Sequence, residues 1–280
     1  MNSEAPFGTY APGPLTVLAR RVAAATGSRG GGQVVRSLLF SLIRGKARRP
    51  RDVVVFGGER ARLHPYDNLS EKRVYRSESH WDPVERAFIA ERARQGDGPF
   101  VFVDVGANAG LYTLAARAAA RAAGRGFRGI AVEPQPEMVE RLRFNLAASG
   151  ASDEVAVLAW GAAAQPGELT LAAPARNRGA ARLAESGFTV PARPLVDALA
   201  STRVDRVDVL KIDIEGQEGP VLAAFFAAAP RHLRPAAIVI EAGRGDLDLP
   251  GPRIGLENGY EVEATTRMNA LLVLKSPPTR

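Results

Sequence analysis

Two short segments, a glycine-rich turn with an acid and a second acid that follows it, have a spacing that could hold a nucleoside-bearing cofactor. The first reads Asp104-Val-Gly106-Ala-Asn108-Ala-Gly110 and closes the largely apolar run 100–105. In open α/β sheets, ligands bind beyond the carboxyl ends of the strands, and glycine lets the backbone turn tightly or approach a ligand. A carboxylate at Asp104 would suit a cofactor that carries an amino group and a sulfonium. This segment predicts a ligand-binding turn.

The glycine spacing argues against a nicotinamide dinucleotide. That fingerprint needs Gly-x-Gly-x-x-Gly, whereas Gly106 and Gly110 are separated by three residues that include Asn108. Taken alone, the turn is equally compatible with glycines that only shape a tight joint between a strand and a helix.

The second segment ends in Glu133-Pro134 and closes a second apolar strand. An acidic residue placed there, roughly 20–30 residues after a glycine turn, can accept hydrogen bonds from two ribose hydroxyls. The alternative for Glu133 is an exposed acid that caps the helix after Pro134. Together the two segments favour a nucleoside-bearing cofactor without a pyrophosphate requirement.

A third segment places charged residues at alternate positions along a predicted strand, 207–214, that runs towards Gly216. At a period of two, Lys211, Asp213 and Glu215 share one face. Asp213 would lie at the carboxyl end of this strand, where a carboxylate can take the proton of an acceptor hydroxyl, with Glu215 as the next candidate. Lys211 either stabilises a forming alkoxide or forms a salt bridge behind the strand. These three residues are the catalytic candidates.

The motifs resemble those of the FkbM methyltransferase family. They are Val103–Thr113, Val132–Pro136, Arg141-Leu-x-x-Asn145 and Val209–Glu218, and the resemblance covers about residues 60–275. It implies a class I methyltransferase α/β fold, with a Rossmann-like, mostly parallel sheet of seven strands and helices on both faces. It also implies S-adenosyl-L-methionine as the methyl donor and O-methylation of a sugar, glycan or secondary metabolite.

The resemblance further implies positions for parts of the cofactor. Its methionine end would lie along the first turn, its ribose at Glu133, and its adenine beside 159–161, where this chain lacks the Asp found in many class I enzymes. Either Trp160 stacks on the adenine or a backbone amide replaces that contact, and Trp160 is equally suited to the core. The expected cofactor-binding residues are Asp104, Gly106, Asn108, Gly110, Glu133, Pro134 and Trp160.

A metal site is a minor alternative. Asp213 and Glu241, together with Glu215, offer the oxygen ligands that Mg²⁺ prefers, but nothing in their spacing demands a metal, and Mg²⁺ is not expected. The chain has no cysteine, so thiolate ligands and disulfides are excluded. His80 is an outside candidate for a general base.

The elements that position these residues fall into three predicted regions. Residues 1–51 form a basic, partly disordered segment with one or two short helices, and 52–98 form a lead-in of strands and a helix capped by Asp82. Residues 99–280 form the S-adenosylmethionine-binding domain, because apolar strands there alternate with helices. The acceptor pocket is expected between the lead-in residues 62–85, where Tyr75 and Trp81 either face a sugar ring or pack internally, and 172–195, a flexible loop.

The charge is unevenly distributed along the chain. Residues 1–60 contain 10 Lys and Arg against 3 Asp and Glu, whereas residues 61–280 contain 27 of each. A basic arm can contact membrane phosphates or nucleic acid or stay solvated, and an amphipathic stretch, 33–43, followed by basic residues suggests peripheral membrane contact through 33–51. The neutral body disfavours nucleic acid as the acceptor.

Two other functions stay open as alternatives. They are a non-catalytic cofactor-binding module of the same fold and a nucleic-acid methyltransferase that uses the basic arm. Because the sequence shows neither a secretory signal nor an apolar run of about 18 residues, a cytoplasmic location is expected. The oligomeric state and the exact methyl acceptor are left open.

Overall fold

The computed structural model describes residues 5–25, 31–32, 34–35, 38–39, 49–175 and 177–275. Its N-terminal part contains helix α1 (Pro14–Ala25), a hairpin of β1 (Arg51–Val55) and β2 (Glu59–Leu63), and the helices α2 (Leu69–Arg76) and α3 (Pro83–Arg94). The hairpin pairs antiparallel, with Val53 opposite Ala61. The strands expected in the lead-in are therefore present.

Strands and helices alternate after α3, as predicted. In chain order they are β3 (Phe100–Val105), α4 (Leu111–Ala122), β4 (Phe127–Val132), α5 (Pro136–Ala148), β5 (Val155–Leu158), β6 (Gly161–Ala162), β7 (Gly167–Ala172), β8 (Arg182–Leu183), β9 (Phe188–Arg193), α6 (Leu195–Thr202), β10 (Val209–Ile212), α7 (Glu218–Ala228), β11 (Ala237–Glu241), α8 (Pro250–Glu257), β12 (Tyr260–Thr265) and β13 (Asn269–Leu274). Short 3-10 turns lie at Glu78–His80, Arg231–Leu233 and Gly243–Gly245.

The main sheet has seven strands in the order β12-β13-β11-β10-β3-β4-β5. β10 pairs parallel with both β3 and β11, and β13 pairs antiparallel with β11 and β12. The chain leaves β3 towards β4 on one side and later returns to β10 on the other. Ligands bind at such a switch point, so the predicted class I architecture is confirmed and the crevice lies between β3 and β10.

Strand β3 shows why the sheet is covered on both faces. All six of its residues are buried. Phe100 and Phe102 belong to the apolar cluster on the face covered by α4, whereas Val101 and Val103 belong to the cluster on the opposite face. Continuous apolar strands of this kind are typical of parallel sheets with helices on both sides.

The stretch 172–195, predicted to be an irregular loop, also contains two strands, β8 and β9. β7 pairs antiparallel with both β8 and β9, and β6 pairs parallel with β9, which gives a second sheet in the order β6-β9-β7-β8. β8 is only two residues long, which is too short to show the alternation of apolar and polar residues that indicates a strand. The Gly and Pro residues around it are typical of loops.

Residues of the N-terminal segment contact the hairpin through Asp52. The backbone N–H groups of Gly8 and Tyr10 donate to Asp52 Oδ2 at 2.8 and 3.0 Å. Arg62 holds the same buried carboxylate, with Nε 2.7 Å from Oδ1. Most of the predicted amphipathic stretch, 33–43, and of the basic stretch, 44–51, lies outside the described residues. Within the described ranges, no helix is both long and apolar enough to cross a bilayer.

Candidate active site

A cleft of about 260 Å³ opens at the carboxyl ends of β3, β4 and β10. Its floor is formed by the turns that follow these three strands, and two other segments cover it. One covering segment is the lead-in from Leu69 to Asp82, and the other runs through β7 and β8. The two segments expected to build an acceptor pocket therefore meet over the crevice.

The first turn is held in place by its glycine. Gly106 has a φ of 76°, and a Cβ atom there would lie 2.0 Å from the backbone oxygen of Asp213. The N–H groups of Gly106 and Ala107 both donate to the carbonyl oxygen of Val132, at 2.9 and 3.1 Å. The turn thus joins the ends of β3, β4 and β10, which only glycine permits at this position.

Gly110, an expected cofactor-binding residue, lies where α4 packs against α5. It does not line the cleft, and a Cβ atom there would lie 2.4 Å from Leu142 Cδ1. Gly110 precedes α4 with a φ of 83°. It permits close packing of α4 against α5, a structural role that the sequence analysis kept as an alternative.

Asn108 links the first turn to both covering segments. Its side-chain Nδ2 donates to the carbonyl oxygen of Gly179 at 3.0 Å, and its Oδ1 accepts from Asn68 Nδ2 at 2.7 Å. Its backbone N–H donates to Glu133 Oε2 at 2.7 Å. Asn68, which sequence analysis did not identify, also caps α2 by accepting from the backbone N–H of Glu71.

Glu133 presents a buried carboxylate to the cleft. Oε2 accepts from Asn108, and Oε1 accepts from the backbone N–H of Gln135 at 2.9 Å. Each carboxylate oxygen has two lone pairs, so both oxygens can accept a further hydrogen bond from a ligand. Burial raises the pKa of Glu133 to about 7, although the two backbone donors oppose this rise. The expectation that Glu133 only caps a helix in solvent does not fit this burial.

Asp104, an expected cofactor-binding residue, is not among the residues that line the cleft. It is fully buried, and its Oδ2 accepts from Thr113 Oγ1 on α4 at 2.7 Å. Its Oδ1 has no hydrogen-bond partner and lies 3.6 Å from Lys211 Nζ. Asp104 therefore acts on the site through Lys211.

Lys211 lies between the buried carboxylate of Asp104 and the more exposed carboxylate of Asp213. Nζ donates to the carbonyl oxygen of Gly106 at 3.1 Å and lies 3.7 Å from Asp213 Oδ2. Burial would lower the pKa of Lys211, but Asp213, Asp104 and Glu133 outweigh burial and raise it. Lys211 is therefore a charged lysine that also lines the cleft, a position compatible with both of the roles considered for it.

Asp213 and Glu215 point to different neighbours. Asp213 lies directly after β10 on the cleft wall, and its side chain is 46% exposed. Glu215 lies beyond the strand with a φ of 57°, so the expected period-two alternation with Lys211 does not reach it. Its Oε2 accepts from Arg182 Nε of β8 at 2.7 Å. This ion pair closes the edge of the cleft and leaves Asp213 as the more accessible carboxylate.

The two candidate metal ligands, Asp213 and Glu241, lie close together. With Glu218 they offer carboxylate oxygens within 4.8 Å of one another. Burial raises the pKa of Glu241 to about 7, and neighbouring carboxylates that include Asp213 add to this rise. Glu218 already accepts from the backbone N–H of Ile214 at 2.7 Å. It closes the turn before α7, where its negative charge suits the dipole of that helix.

The part of the crevice beside β6 and β7, where an adenine was expected, is apolar. Pro134, Gly161, Ala162 and Leu169 line it. Trp160 instead belongs to the apolar core and is not part of the cleft wall. The structure thus favours the core role that was considered for Trp160 over stacking.

Asp82 is a cleft residue whose role the sequence analysis missed. It precedes α3 with a φ of 41° and makes no side-chain hydrogen bond to the helix that it was expected to cap. Its Oδ2 accepts from Tyr112 Oη and its Oδ1 from Arg73, both at 3.0 Å. Burial raises the pKa of Asp82. Positive φ in a residue other than glycine costs about 1–3 kcal/mol and is concentrated at functional sites.

The other lead-in candidates are less central. Trp81 lines the cleft and lies 4.7 Å from the Tyr112 ring, whereas Tyr75 is buried away from the cleft. His80 is not a cleft residue, and its Nδ1 hydrogen-bonds with Ser77 Oγ at 2.7 Å. The structure thus places His80 outside the cleft, where a general base would have to reach the acceptor.

Comparison with known proteins places this geometry in context. The sequence profile of the methyltransferase FkbM domain matches residues 104–255, more than half of the chain. No curated protein sequence matches the chain. Among solved structures, it resembles precorrin-6y C5,15-methyltransferase from Geobacter metallireducens at 17% identity, covering 68% of this chain and 87% of that one, with a TM-score of 0.44. It also resembles an O-methyltransferase from Bacillus cereus solved with SAH, at 15% identity, 69% and 82% coverage, and a TM-score of 0.41.

Proposed function

Because the chain belongs to the FkbM methyltransferase family, we propose that it transfers a methyl group from S-adenosylmethionine to a hydroxyl of a sugar, glycan or secondary metabolite. The family establishes a methyltransferase that depends on S-adenosylmethionine. The observation that carries the hydroxyl acceptor is Asp213. It is a half-exposed carboxylate on the cleft wall, beside Lys211 and opposite the lead-in.

The cleft residues fit the cofactor. Glu133 would accept the two ribose hydroxyls, and Pro134, Gly161 and Leu169 would flank the adenine. The Gly106–Asn108 turn would lie along the methionine end. A nucleoside joined to an amino acid requires an apolar slot, a buried carboxylate and a glycine turn along one crevice. This cleft offers all three.

When bound, the cofactor supplies an electrophilic methyl group. Methyl transfer needs the acceptor oxygen held in line with that methyl and a base for the departing proton. Asp213 would take the hydroxyl proton as the oxygen–carbon bond forms, while the electrons of the broken sulfur–carbon bond stay on sulfur. Lys211 holds the Asp213 carboxylate in place, and Asp82 would orient the acceptor from the opposite wall.

Two measurements test this proposal. Calorimetry with S-adenosylhomocysteine should show binding, and an absence of binding would refute the cofactor site. Incubation with methyl-labelled S-adenosylmethionine and a glycan and metabolite extract of the source cells should then give an alkali-stable labelled ether. A base-labile ester or an N-methyl product would refute hydroxyl transfer. Cofactor binding without any product would favour the non-catalytic module.

A further inference from the structure

Helix α1 turns its apolar face towards solvent. Leu15, Leu18 and Val22 are 82%, 58% and 44% exposed. Residues spaced three and four positions apart lie on one face of a helix, so these side chains form a single stripe. A surface helix normally buries such a stripe against the core.

The opposite face of α1 explains this orientation. Arg20 Nε donates to the carbonyl oxygen of Tyr75 at 2.9 Å, and its guanidinium lies 5.1 Å from the centre of the Tyr75 ring. Ala23, three residues further along, is almost fully buried. The face that carries Arg20 therefore attaches the helix to the lead-in, and the stripe is exposed because of these specific contacts.

Further apolar residues are exposed in the same part of the chain. Val34 and Val35 are helical and exposed. Single exposed apolar residues are common on soluble proteins, but a concentration of them marks an interaction surface.

The charge of this part of the chain indicates the partner. The entire excess of +7 lies in residues 1–60, and the remaining 220 residues are neutral overall. Arg21 in α1 and Arg49 before β1 are exposed. Apolar side chains flanked by basic ones complement an anionic bilayer, because the former enter the acyl boundary and the latter meet the phosphates. RNA would use the charge and leave the leucines unused.

We propose that the α1 stripe, together with the basic N-terminal segment, docks the enzyme on the surface of a membrane that contains anionic lipids. This moves the contact expected at 33–51 towards the N-terminus. It goes beyond the proposed reaction and does not depend on it, since the stripe lies outside the cleft. The enzyme would then meet acceptors at, or anchored in, that surface.

Vesicle flotation with the full chain tests the proposal. Vesicles of phosphatidylcholine with 30% phosphatidylglycerol should bind the protein, and phosphatidylcholine alone should bind it weakly. The double variant Leu15→Ser, Leu18→Ser should lower the partition coefficient about a hundredfold, since each leucine contributes roughly tenfold. The matched control is Val54→Ser, Val84→Ser, which removes two exposed apolar side chains elsewhere and should bind like the wild type.

Several results would overturn the proposal that the α1 stripe binds a membrane. One is equal binding of both double variants, and another is equal binding to both kinds of vesicle. A self-association in sedimentation velocity that the leucine variant abolishes would assign the stripe to a second copy instead. Binding of S-adenosylhomocysteine should be the same in all variants, which confirms folding. Its failure in the wild type would refute the proposed reaction without touching this result.

Discussion

Lowering the pH from 8 to 6 should weaken cofactor binding through Glu133. Burial raises the pKa of this carboxyl to about 7, so it takes up its proton just below neutrality. A protonated carboxyl loses acceptor capacity for the ribose hydroxyls. If only the ionised form binds, the apparent Kd grows by a factor of about 11 at pH 6 and about 1.1 at pH 8. The expected loss is about tenfold, or about 1.4 kcal/mol, present below pH 7 and absent above it.

Calorimetry with S-adenosylhomocysteine at pH 6, 7 and 8 measures this slope. Glu133→Gln should bind weakly at every pH, because the amide keeps the size of the side chain and cannot titrate. The matched control is Glu241→Gln, since Glu241 lines the same cleft and its pKa is also raised to about 7. This control should keep the wild-type slope. The assignment of the ribose to Glu133 would be refuted if the Kd of the wild type did not change with pH. It would also be refuted if the Glu241→Gln variant lost the pH dependence.

Three substitutions and one treatment test the rest of the cleft. Gly106→Ala should cost about 2–5 kcal/mol of unfolding free energy in urea, because its Cβ would meet the backbone oxygen of Asp213 at positive φ; unchanged stability would contradict this. Asp213→Asn should lower turnover about 100- to 10,000-fold and leave S-adenosylhomocysteine affinity unchanged; full activity would exclude it as the base. Asp104→Asn should weaken S-adenosylmethionine about tenfold more than S-adenosylhomocysteine, because Lys211 then repels the sulfonium; equal losses would refute that. Chelation by EDTA should leave activity unchanged, since Glu218 is already bonded to the backbone; loss restored by Mg²⁺ would contradict it.

The local part of the site could be predicted from the sequence. Gly106, Asn108 and Glu133 lie on the cleft because each follows a parallel strand, and the carboxyl ends of parallel strands meet at one edge of the sheet. Asp213 lies there for the same reason. Position relative to a strand end is readable from apolar runs, and it was enough to locate the crevice.

Asp104 shows where that reasoning fails. It lies one residue before the end of β3, and the pleat turns its side chain towards α4. β10 pairs with β3 in a register that sets Lys211 directly beside Asp104. The register between strands that are separated by more than 100 residues leaves no trace in the local sequence. A motif can thus mark a residue as important without showing whether a ligand touches it.

The contacts of the two covering segments were harder to predict, because they also depend on residues that are distant in the sequence. Asp82 has the sequence of an ordinary helix cap, since Pro83 follows it. Its carboxylate instead accepts hydrogen bonds from Tyr112 and Arg73. The bond from Tyr112 depends on where α4 places the tyrosine. Arg182 reaches Glu215 only because β8 pairs with β7. Contacts of this kind follow from tertiary packing.

The charges around Lys211 explain how a buried cation can lie in a site for a sulfonium. Two positive charges in a poorly solvated crevice would repel each other. Asp104 on the buried side and Asp213 on the open side lie 3.6 and 3.7 Å from Nζ. With both carboxylates ionised, their two negative charges exceed the single charge of Lys211, so the group as a whole would be negative and would attract a sulfonium. If Asp213 is the base, as proposed, it would lose its negative charge to the acceptor proton while the positive charge on sulfur is lost. Under that proposal the net charge of the crevice would be the same before and after transfer, because the proton stays on Asp213. Asp104 would offset the charge of Lys211 throughout, without touching the substrate.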